Sequence, residues 1–273
     1  MSCKPLVSII TVCYNEKNVE RTCKSIVQQT FQDFEWIVID GGSNRETLEI
    51  LDKYKDRMNV FISEKDDGVY NAMNKGIKRA KGLWLNFMNA GDTFFEDKTL
   101  EKVFKNSALK RADILYSKSK CFMEDGTGFC QKFPLWHRLN YTFWQSNCLN
   151  HQACFFKKEL FEKYGLYDER FKIRADFEKL LLFLTGGCKF EYINILGCNF
   201  FMDGISSKNT DLLNKETEEI MQRYYPFKYR TIRTIKLLNR IPVMRIKKRW
   251  DNKKYRLVFL KISLFEWECK EKV

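Results

Sequence analysis

The sequence lacks several patterns that define large classes of protein. No run of 18 apolar residues occurs in the 273-residue chain, so we expect no membrane-spanning helix. No Cys-x-x-Cys pair and no histidine cluster accompany the ten cysteines, which argues against a zinc site and a disulfide scaffold. Residues 1–5 show no signal-peptide pattern before the first strand-like run. We therefore expect a reducing, cytoplasmic location.

Two common nucleotide-binding signatures are also missing. No Gly-x-Gly-x-x-Gly and no Gly-x-x-x-x-Gly-Lys-Ser/Thr follows a predicted strand. These glycine-rich loops hold pyrophosphate in dinucleotide-binding and P-loop enzymes. Their absence weighs against both classes.

Positive charge is concentrated near the C-terminus. The chain carries a net charge of +13, and residues 228–256 contain twelve basic residues and one acidic residue. We therefore separate a basic amphipathic extension, 228–273, from a main domain, 1–227. Pro242 divides this basic, partly apolar run, so we expect two short helices. Such a segment suits the surface of an anionic membrane, and a solvated helix packed on the domain is the alternative.

Apolar runs alternate with helical patterns in the first half of the main domain, about residues 1–110. The predicted strands cover 6–12, 34–40, 59–63 and 82–87, and the predicted helices include 17–28 and 69–80. This alternation, with short loops, predicts βαβ units and a mostly parallel central sheet flanked by helices. Asn15 is expected to cap the first helix, and Ser43 is expected to cap the second through a Ser43-x-x-Glu46 capping box.

The pattern is less regular in the second half, about residues 111–227. Strands are predicted at 113–116, 151–156 and 190–198, and helices at 98–106, 160–164, 176–185 and 216–225. The segment 121–152 is aromatic and irregular. Its aromatic residues would either stack on a ligand or form a core.

Polar side chains follow each of the first four predicted strands. They are Asn15 and Glu16, then Asp40, then Asp66 and Asp67, and finally Asp92. In a parallel sheet these residues share one rim, which is where ligands bind. Clustered acids repel one another and are poorly explained by stability. A hydrogen-bonded ribose or base and a hard cation such as Mg²⁺ or Mn²⁺, which neutralises a diphosphate, explain them better.

Four blocks of sequence carry a family resemblance. They are Val7–Asn15, Val38–Ser43, Glu64–Gly76 and Asn89–Asp92, in this order. Together they resemble the family-2 glycosyltransferases. The resemblance covers residues 6–97 and continues more thinly through His151–Ala153 and Arg174–Phe177.

The resemblance implies a Rossmann-like GT-A fold, a nucleotide-sugar donor that we expect to be a UDP-sugar, a divalent metal and inversion at the anomeric carbon. By the same resemblance, Asp92 contacts Mg²⁺ or Mn²⁺, although Gly91 stands where many relatives have a second acid. The positions that match nucleotide-binding residues of the family are Thr11, Asn15, Glu16, Asp40, Asp67 and Asn74.

The resemblance also points to a general base in the second half of the chain. Asp176 matches the family's base, which takes the proton of the acceptor hydroxyl. A helix cap is the alternative role for Asp176, and Glu178 is the second candidate for the base. His151 and Trp144 are candidates for contact with the diphosphate or the acceptor, and a structural role is equally open for both.

Three interpretations remain at this stage. The first is a hexosyl- or N-acetylhexosaminyltransferase of surface polysaccharide biosynthesis, with a glycan or lipid-linked acceptor, peripheral at the inner face of the cytoplasmic membrane. The second is a nucleic-acid-binding protein with a basic tail, but no nucleic-acid motif is present and we expect no nucleic-acid partner. The third is a nucleotide-sugar-binding protein without transferase activity, which only Gly91 supports.

Overall fold

A computed structural model describes most of the chain. The described residues are 4–123, 125–131, 149–202, 204, 209–225, 244–249, 254–259 and 262–268. The chain forms two compact units, residues 1–217 and residues 218–273. The seven cysteines in the described part carry free thiols.

The first unit is built on four parallel strands. Strand β1 (Val7–Cys13) lies between β2 (Phe34–Asp40) and β4 (Trp84–Phe87), and β3 (Val60–Ser63) pairs with the outer edge of β2. Every residue of β1 is buried, as expected for a strand covered on both faces. The parallel arrangement brings the carboxyl ends of these strands to one rim, as predicted.

The second half of the sheet is mixed. Its strands are β5 (Thr93–Phe94), β6 (Ile114–Phe122), β7 (Gly128–Gln131), β8 (Cys154–Lys157) and β9 (Phe190–Phe201). The strand order of the whole sheet is β3-β2-β1-β4-β8-β6-β9-β5, with β7 paired to β6. Strand β8 joins the two halves through antiparallel pairing with β4 and β6, whereas β6 and β9 are parallel. The predicted GT-A sheet, flanked by helices, is confirmed.

The described part of the chain also forms seven α-helices. They are α1 (Val19–Val27), α2 (Arg45–Asp52), α3 (Val69–Arg79), α4 (Thr99–Phe104), α5 (Lys158–Tyr164), α6 (Ala175–Thr185) and α7 (Thr210–Tyr224). Helix α3 lies very close to β1, because a Cβ added at Gly76 would stand 2.5 Å from Ile10 Cγ2. This contact brings the start of α3 beside the rim of the sheet.

The predicted caps of α1 and α2 are wrong. Asn18 occupies the N-cap position of α1, and Asn15 has a φ of +49° and joins two loops instead. Its Oδ1 accepts a 2.7 Å hydrogen bond from the Asn44 backbone N–H, and its own N–H donates to Ser43 Oγ at 2.8 Å. Asn44 caps α2, with its Oδ1 accepting from Thr47 N at 3.0 Å. Asn is favoured both at helix N-caps and in turns, so the residue type alone does not show which of the two positions an asparagine occupies.

The C-terminal extension is not helical where the structure describes it. Strands β10 (Met244–Arg249), β11 (Lys254–Phe259) and β12 (Ile262–Glu268) form an antiparallel sheet. The predicted helix after Pro242 is therefore wrong, and the predicted helix before Pro242 lies outside the described residues. Strands β11 and β12 are rich in β-branched and aromatic residues, which favour strands, whereas β10 contains only Ile246 of these types. Among the described residues, no helix has the length and apolar character needed to cross a membrane.

Candidate active site

A cavity of about 740 Å³ lies at the carboxyl ends of β1 and β4. Its walls come from the loops after β1, β3 and β4, from the β6–β7 hairpin, from residues 149–152 and 172–176, and from the end of β9. Glu16, Asp92, His151 and Asp176 all line it. The structure therefore brings together predicted residues that are up to 160 positions apart in the chain.

Asp92 lies in the wall of this cavity and is 6% exposed. Its Oδ2 accepts a 2.6 Å hydrogen bond from Gln152 Nε2, and its Oδ1 accepts a 2.9 Å bond from Phe201 N. Burial raises the pKa of the Asp92 carboxyl to about 7, although these two hydrogen bonds act to lower it. The carboxyl group is thus fixed in orientation and changes charge near neutral pH.

The turn before Asp92 explains the missing second acid. Gly91 has a φ of +99°, a conformation that side-chain-bearing residues rarely adopt. A Cβ there would stand 3.5 Å from the Glu16 carboxyl carbon, so an acid would be both strained and next to a like charge. Thr22 on α1 holds the turn by accepting from Gly91 N at 2.9 Å and donating to the Asp92 carbonyl at 2.7 Å.

Asp176 is the centre of a hydrogen-bond chain that crosses the cavity. Its Oδ2 lies 3.2 Å from His151 Nδ1, and the other ring nitrogen, Nε2, lies 3.1 Å from Asn89 Nδ2. The Nδ1–H group of the imidazole therefore faces the Asp176 carboxylate, and the Asn89 amide faces the other ring nitrogen. The Tyr70 hydroxyl donates to Asp176 Oδ1 at 2.9 Å. Asn89 and Tyr70 lie in blocks that resemble the family, but neither was predicted as a site residue, because neither contact is local.

The environment of Asp176 favours its ionised form. Burial raises the pKa, but the hydrogen bond and charge of His151, the charge of Arg174 and the Tyr70 hydrogen bond together hold the pKa below its usual value. The carboxylate side chain is 16% exposed and lines the cavity. Asp176 is therefore an accessible carboxylate whose orientation is fixed by three donors, the third being Phe177 N at 2.8 Å. Arg174, and not Asp176, occupies the N-cap position of α6.

Glu178, the second candidate for the base, lies in a different environment. It is 4% exposed, and it is not among the residues that line the cavity. Two positions along a helix turn a side chain to another face, which accounts for the difference from Asp176.

Asp40 is fully buried beneath the loop after β2. Its Oδ2 accepts from Gly42 N at 3.1 Å, Ser43 N at 3.0 Å and Ser63 Oγ at 2.7 Å. Its Oδ1 is buried without a hydrogen-bond partner among the described residues. A buried oxygen of this kind usually has a partner, but Asp40 is not among the residues that line the cavity.

The structure favours Asp66 over Asp67 as the acid next to the cavity. Asp66 lines the cavity, accepts from Gly68 N at 3.0 Å and packs over Gly41. Asp67 is exposed, does not line the cavity, and contributes its backbone carbonyl to Lys172 Nζ at 3.2 Å. Adjacent residues in a loop point in different directions, and the sequence did not determine which one faces inward.

Three predicted nucleotide-binding residues have structural roles in this arrangement. The hydroxyl of the fully buried Thr11 accepts from Trp36 Nε1 at 3.0 Å. Asn74 is 2% exposed and ties α3 to Tyr167 by bonds to its N–H and carbonyl at 2.9 and 3.0 Å. Asn15 joins the loops after β1 and β2, as described above. None of the three lines the cavity, and Trp144 lies outside the described residues.

Two cations that the sequence analysis missed also line the cavity. Lys172 and Arg174 lie in the segment before α6, and the 5%-exposed carboxylate of Glu216 holds this segment. Glu216 accepts from the N–H groups of Lys172, Ile173 and Arg174 at 2.7, 2.9 and 2.9 Å. Arg174 lies in the Arg174–Phe177 block that resembles the family and Lys172 lies two residues before it, and this position in the sequence was the only signal for the two cations.

A family profile and several named proteins are similar to this chain in sequence. The sequence profile described as "Glycosyl transferase family 2" matches residues 8–165. The chain belongs to this family. A relative from Mycobacterium bovis (strain BCG / Pasteur 1173P2), named "PGL/p-HBAD biosynthesis glycosyltransferase", is 34% identical over 184 residues, which are 64% of this chain and 68% of the relative. TuaG of Bacillus subtilis (strain 168), provisionally named for teichuronic acid biosynthesis, is 32% identical over 45% of this chain and 50% of its own.

Solved structures share the fold of this family-2 member. Residues 1–349 of S. aureus TarS, in complex with UDP-GlcNAc, superpose with a TM-score of 0.67 and 21% identity over 80% of this chain and 65% of that chain. This chain covers 42% of a longer TarS chain. The mannosyltransferase PcManGT from Pyrobaculum calidifontis, in complex with GDP-Man and Mn²⁺, gives a TM-score of 0.57 and 15% identity over 88% of this chain and 76% of that chain.

Proposed function

We propose that this family-2 member is an inverting glycosyltransferase that moves a sugar from a UDP-sugar to a glycan acceptor. The observation that carries the proposal is the position of Asp176, an ionised, oriented carboxylate in the same cavity as Asp92. Inversion needs one base on the acceptor side and electrostatic stabilisation of the leaving diphosphate on the other. The UDP-GlcNAc and UDP complexes of the TarS neighbour support the choice of nucleotide.

In the proposed reaction the acceptor hydroxyl attacks the anomeric carbon while Asp176 removes its proton. The bond between that carbon and the diphosphate oxygen breaks, and the nucleoside diphosphate leaves with the electron pair. His151 keeps the Asp176 carboxylate turned toward the acceptor through their 3.2 Å contact. Lys172 and Arg174, which line the same cavity, add positive charge that favours binding of the diphosphate. Asp40 Oδ1, which is buried without a partner among the described residues, would accept from the imide N–H of a uracil base once the loop that covers it moves aside.

The residues around Asp92 fit a divalent cation held jointly with the donor. Among the described residues, no group of three or more His, Cys, Asp and Glu side chains could hold a metal ion. Each Asp92 carboxylate oxygen accepts one hydrogen bond and keeps a further lone pair, and Asn89 Oδ1 is a buried oxygen without a partner in the described part. Mg²⁺ and Mn²⁺ accept such oxygen ligands and complete their shell with phosphate and water. When bound, the cation would neutralise charge on the leaving diphosphate.

A lipid-linked acceptor and a place at the inner face of the cytoplasmic membrane remain part of the proposal. The support is the basic composition of residues 228–256 and the names of relatives in teichuronic acid and PGL/p-HBAD biosynthesis. These names also support surface polysaccharide or glycolipid biosynthesis as the process. Basic residues near an anionic surface contribute about 1 kcal/mol each, so the extension carries enough charge to localise the protein.

The experiment that tests the function is release of nucleotide from a panel of UDP-, GDP- and dTDP-sugars. The full chain is assayed with and without Mn²⁺, and with EDTA as a control. We expect release from UDP-sugars that requires the cation. Binding without release for every donor would support a nucleotide-sugar-binding protein. A hexosyl donor preferred over its N-acetylhexosaminyl counterpart, or the reverse, would fix the class of sugar.

A further inference from the structure

One wall of the cavity has the composition of a carbohydrate site and has no role in the proposed chemistry. It is formed by Phe129 and Gln131 of the β6–β7 hairpin and by Asn150, and we call these three residues the hairpin wall. In the strand order, β4 and β8 separate β6 from β1. The hairpin wall therefore belongs to the second half of the sheet, whereas the loops after β1 and β3 belong to the first half.

Phe129 gives the hairpin wall an apolar surface. Its side chain is 48% exposed although it lines the cavity, so a large part of the ring is accessible to a ligand. Ligand sites combine aromatic surfaces of this kind with a few fixed polar groups. The C–H face of a pyranose ring is the part of a sugar that packs against an aromatic ring.

The two amides of the hairpin wall are fixed next to each other. Asn150 Nδ2 donates to Gln131 Oε1 at 3.1 Å, and the Cys121 thiol lies 3.4 Å from the same oxygen. Within the described part of the chain, these bonds leave the Gln131 amide nitrogen as a donor and the Asn150 amide oxygen as an acceptor. A donor and an acceptor side by side match two neighbouring hydroxyl groups.

The hairpin wall is directly connected to the proposed base. Asn150 is the residue before His151, at the N-cap of a single turn of 3-10 helix formed by His151–Ala153. His151 contacts Asp176 at 3.2 Å. The hairpin wall and the base therefore line the same cavity, and Asn150 adjoins in sequence the residue that contacts the base.

We propose that Phe129, Gln131 and Asn150 form the subsite for the acceptor sugar. This inference rests on the proposed function and extends it, because it assigns the acceptor as a glycoside whose ring stacks on Phe129 while adjacent hydroxyls bond the two amides. Donor binding is left to the other residues of the cavity, among them Asp92, Lys172 and Arg174. The subsite thus contributes to acceptor affinity and not to donor affinity.

The test uses octyl glycosides of glucose, galactose, mannose, rhamnose and N-acetylglucosamine as probes. Binding to the full chain is measured by ligand-observed NMR in the presence of UDP, and transfer is followed as glycoside-stimulated release of UDP. We expect at least one glycoside to bind. Phe129→Ala should weaken its binding about tenfold, which corresponds to about 1.4 kcal/mol, and leave the KM for the donor unchanged.

Matched variants make the outcome specific. Gln131→Ala should weaken glycoside binding in the same way, whereas Met123→Ala should not, because Met123 is 51% exposed on the same hairpin and does not line the cavity. If no glycoside binds to protein that hydrolyses the donor, or if Phe129→Ala raises the donor KM instead, the subsite is refuted. Glycoside binding that depends on Phe129, without any nucleotide release, would support the subsite and count against the proposed transferase.

Discussion

Replacing His151 by Phe tests the link between the imidazole and the proposed base. The substitution keeps a ring of similar size and removes the donor that lies 3.2 Å from Asp176 Oδ2. Asp176 stays mostly buried, and burial raises its pKa. The hydrogen bond and charge of His151 lower this pKa in the wild type, and the substitution removes both. The pKa of Asp176 should therefore rise, and a larger share of the enzyme should be protonated and inactive at low pH.

The size of this effect follows from the energy of the lost contact. A hydrogen bond to a charged group is worth about 1.5–3 kcal/mol, and one pKa unit corresponds to about 1.36 kcal/mol. The acid limb of the pH profile of kcat/KM should therefore move up by about one to two pH units. The ratio of wild-type to variant activity should grow as the pH falls.

Tyr70→Phe provides the graded comparison. The Tyr70 hydroxyl donates to Asp176 Oδ1 but shares its proton with the Ile173 carbonyl, at 2.7 Å. Its removal should shift the acid limb in the same direction by less than the His151 variant does. Thermal unfolding and donor KM control for loss of fold and of nucleotide binding. An acid limb that does not move in folded His151→Phe, or that moves further in Tyr70→Phe, would refute the argument.

Three further changes test other parts of the proposal. Asp176→Asn should still bind the donor, but its kcat for transfer should be lower by about 10²–10⁴-fold, the usual contribution of a general base. Normal transfer by Asp176→Asn together with lost transfer in Glu178→Gln would assign the base to Glu178. Asp92→Ala should lose activity by about 10²-fold or more. In the wild type, the Mn²⁺ affinity measured by calorimetry with UDP present should increase about tenfold for each unit that the pH increases toward 7, where the Asp92 carboxyl ionises. Mn²⁺ binding that does not depend on pH would exclude Asp92 as a ligand. The full chain should sediment with anionic vesicles in a salt-sensitive way and a version ending at Phe227 should not, whereas equal sedimentation would remove the membrane role of the extension.

The parts of the fold that depend on local patterns could be predicted from the sequence. Strand β2 was predicted with its observed bounds, and the other three parallel strands were within two residues of theirs. Runs of apolar residues bounded by polar turns identify buried strands without knowledge of their neighbours. The caps and the C-terminal strands were predicted wrongly, because several residues compete for a cap and because propensities alone did not separate helix from strand after Pro242.

What the sequence by itself determined is the family, the parallel half of the sheet and the set of acids that follow its strands. These features depend on neighbours in the chain and on short motifs. Only the tertiary structure decided that Asp66 rather than Asp67 faces the cavity, that Asn74 is buried against Tyr167, and that His151 contacts Asp176. The physical reason is that a side chain's partner across the cavity is set by how distant strands and helices pack, and nothing in the local sequence encodes that direction.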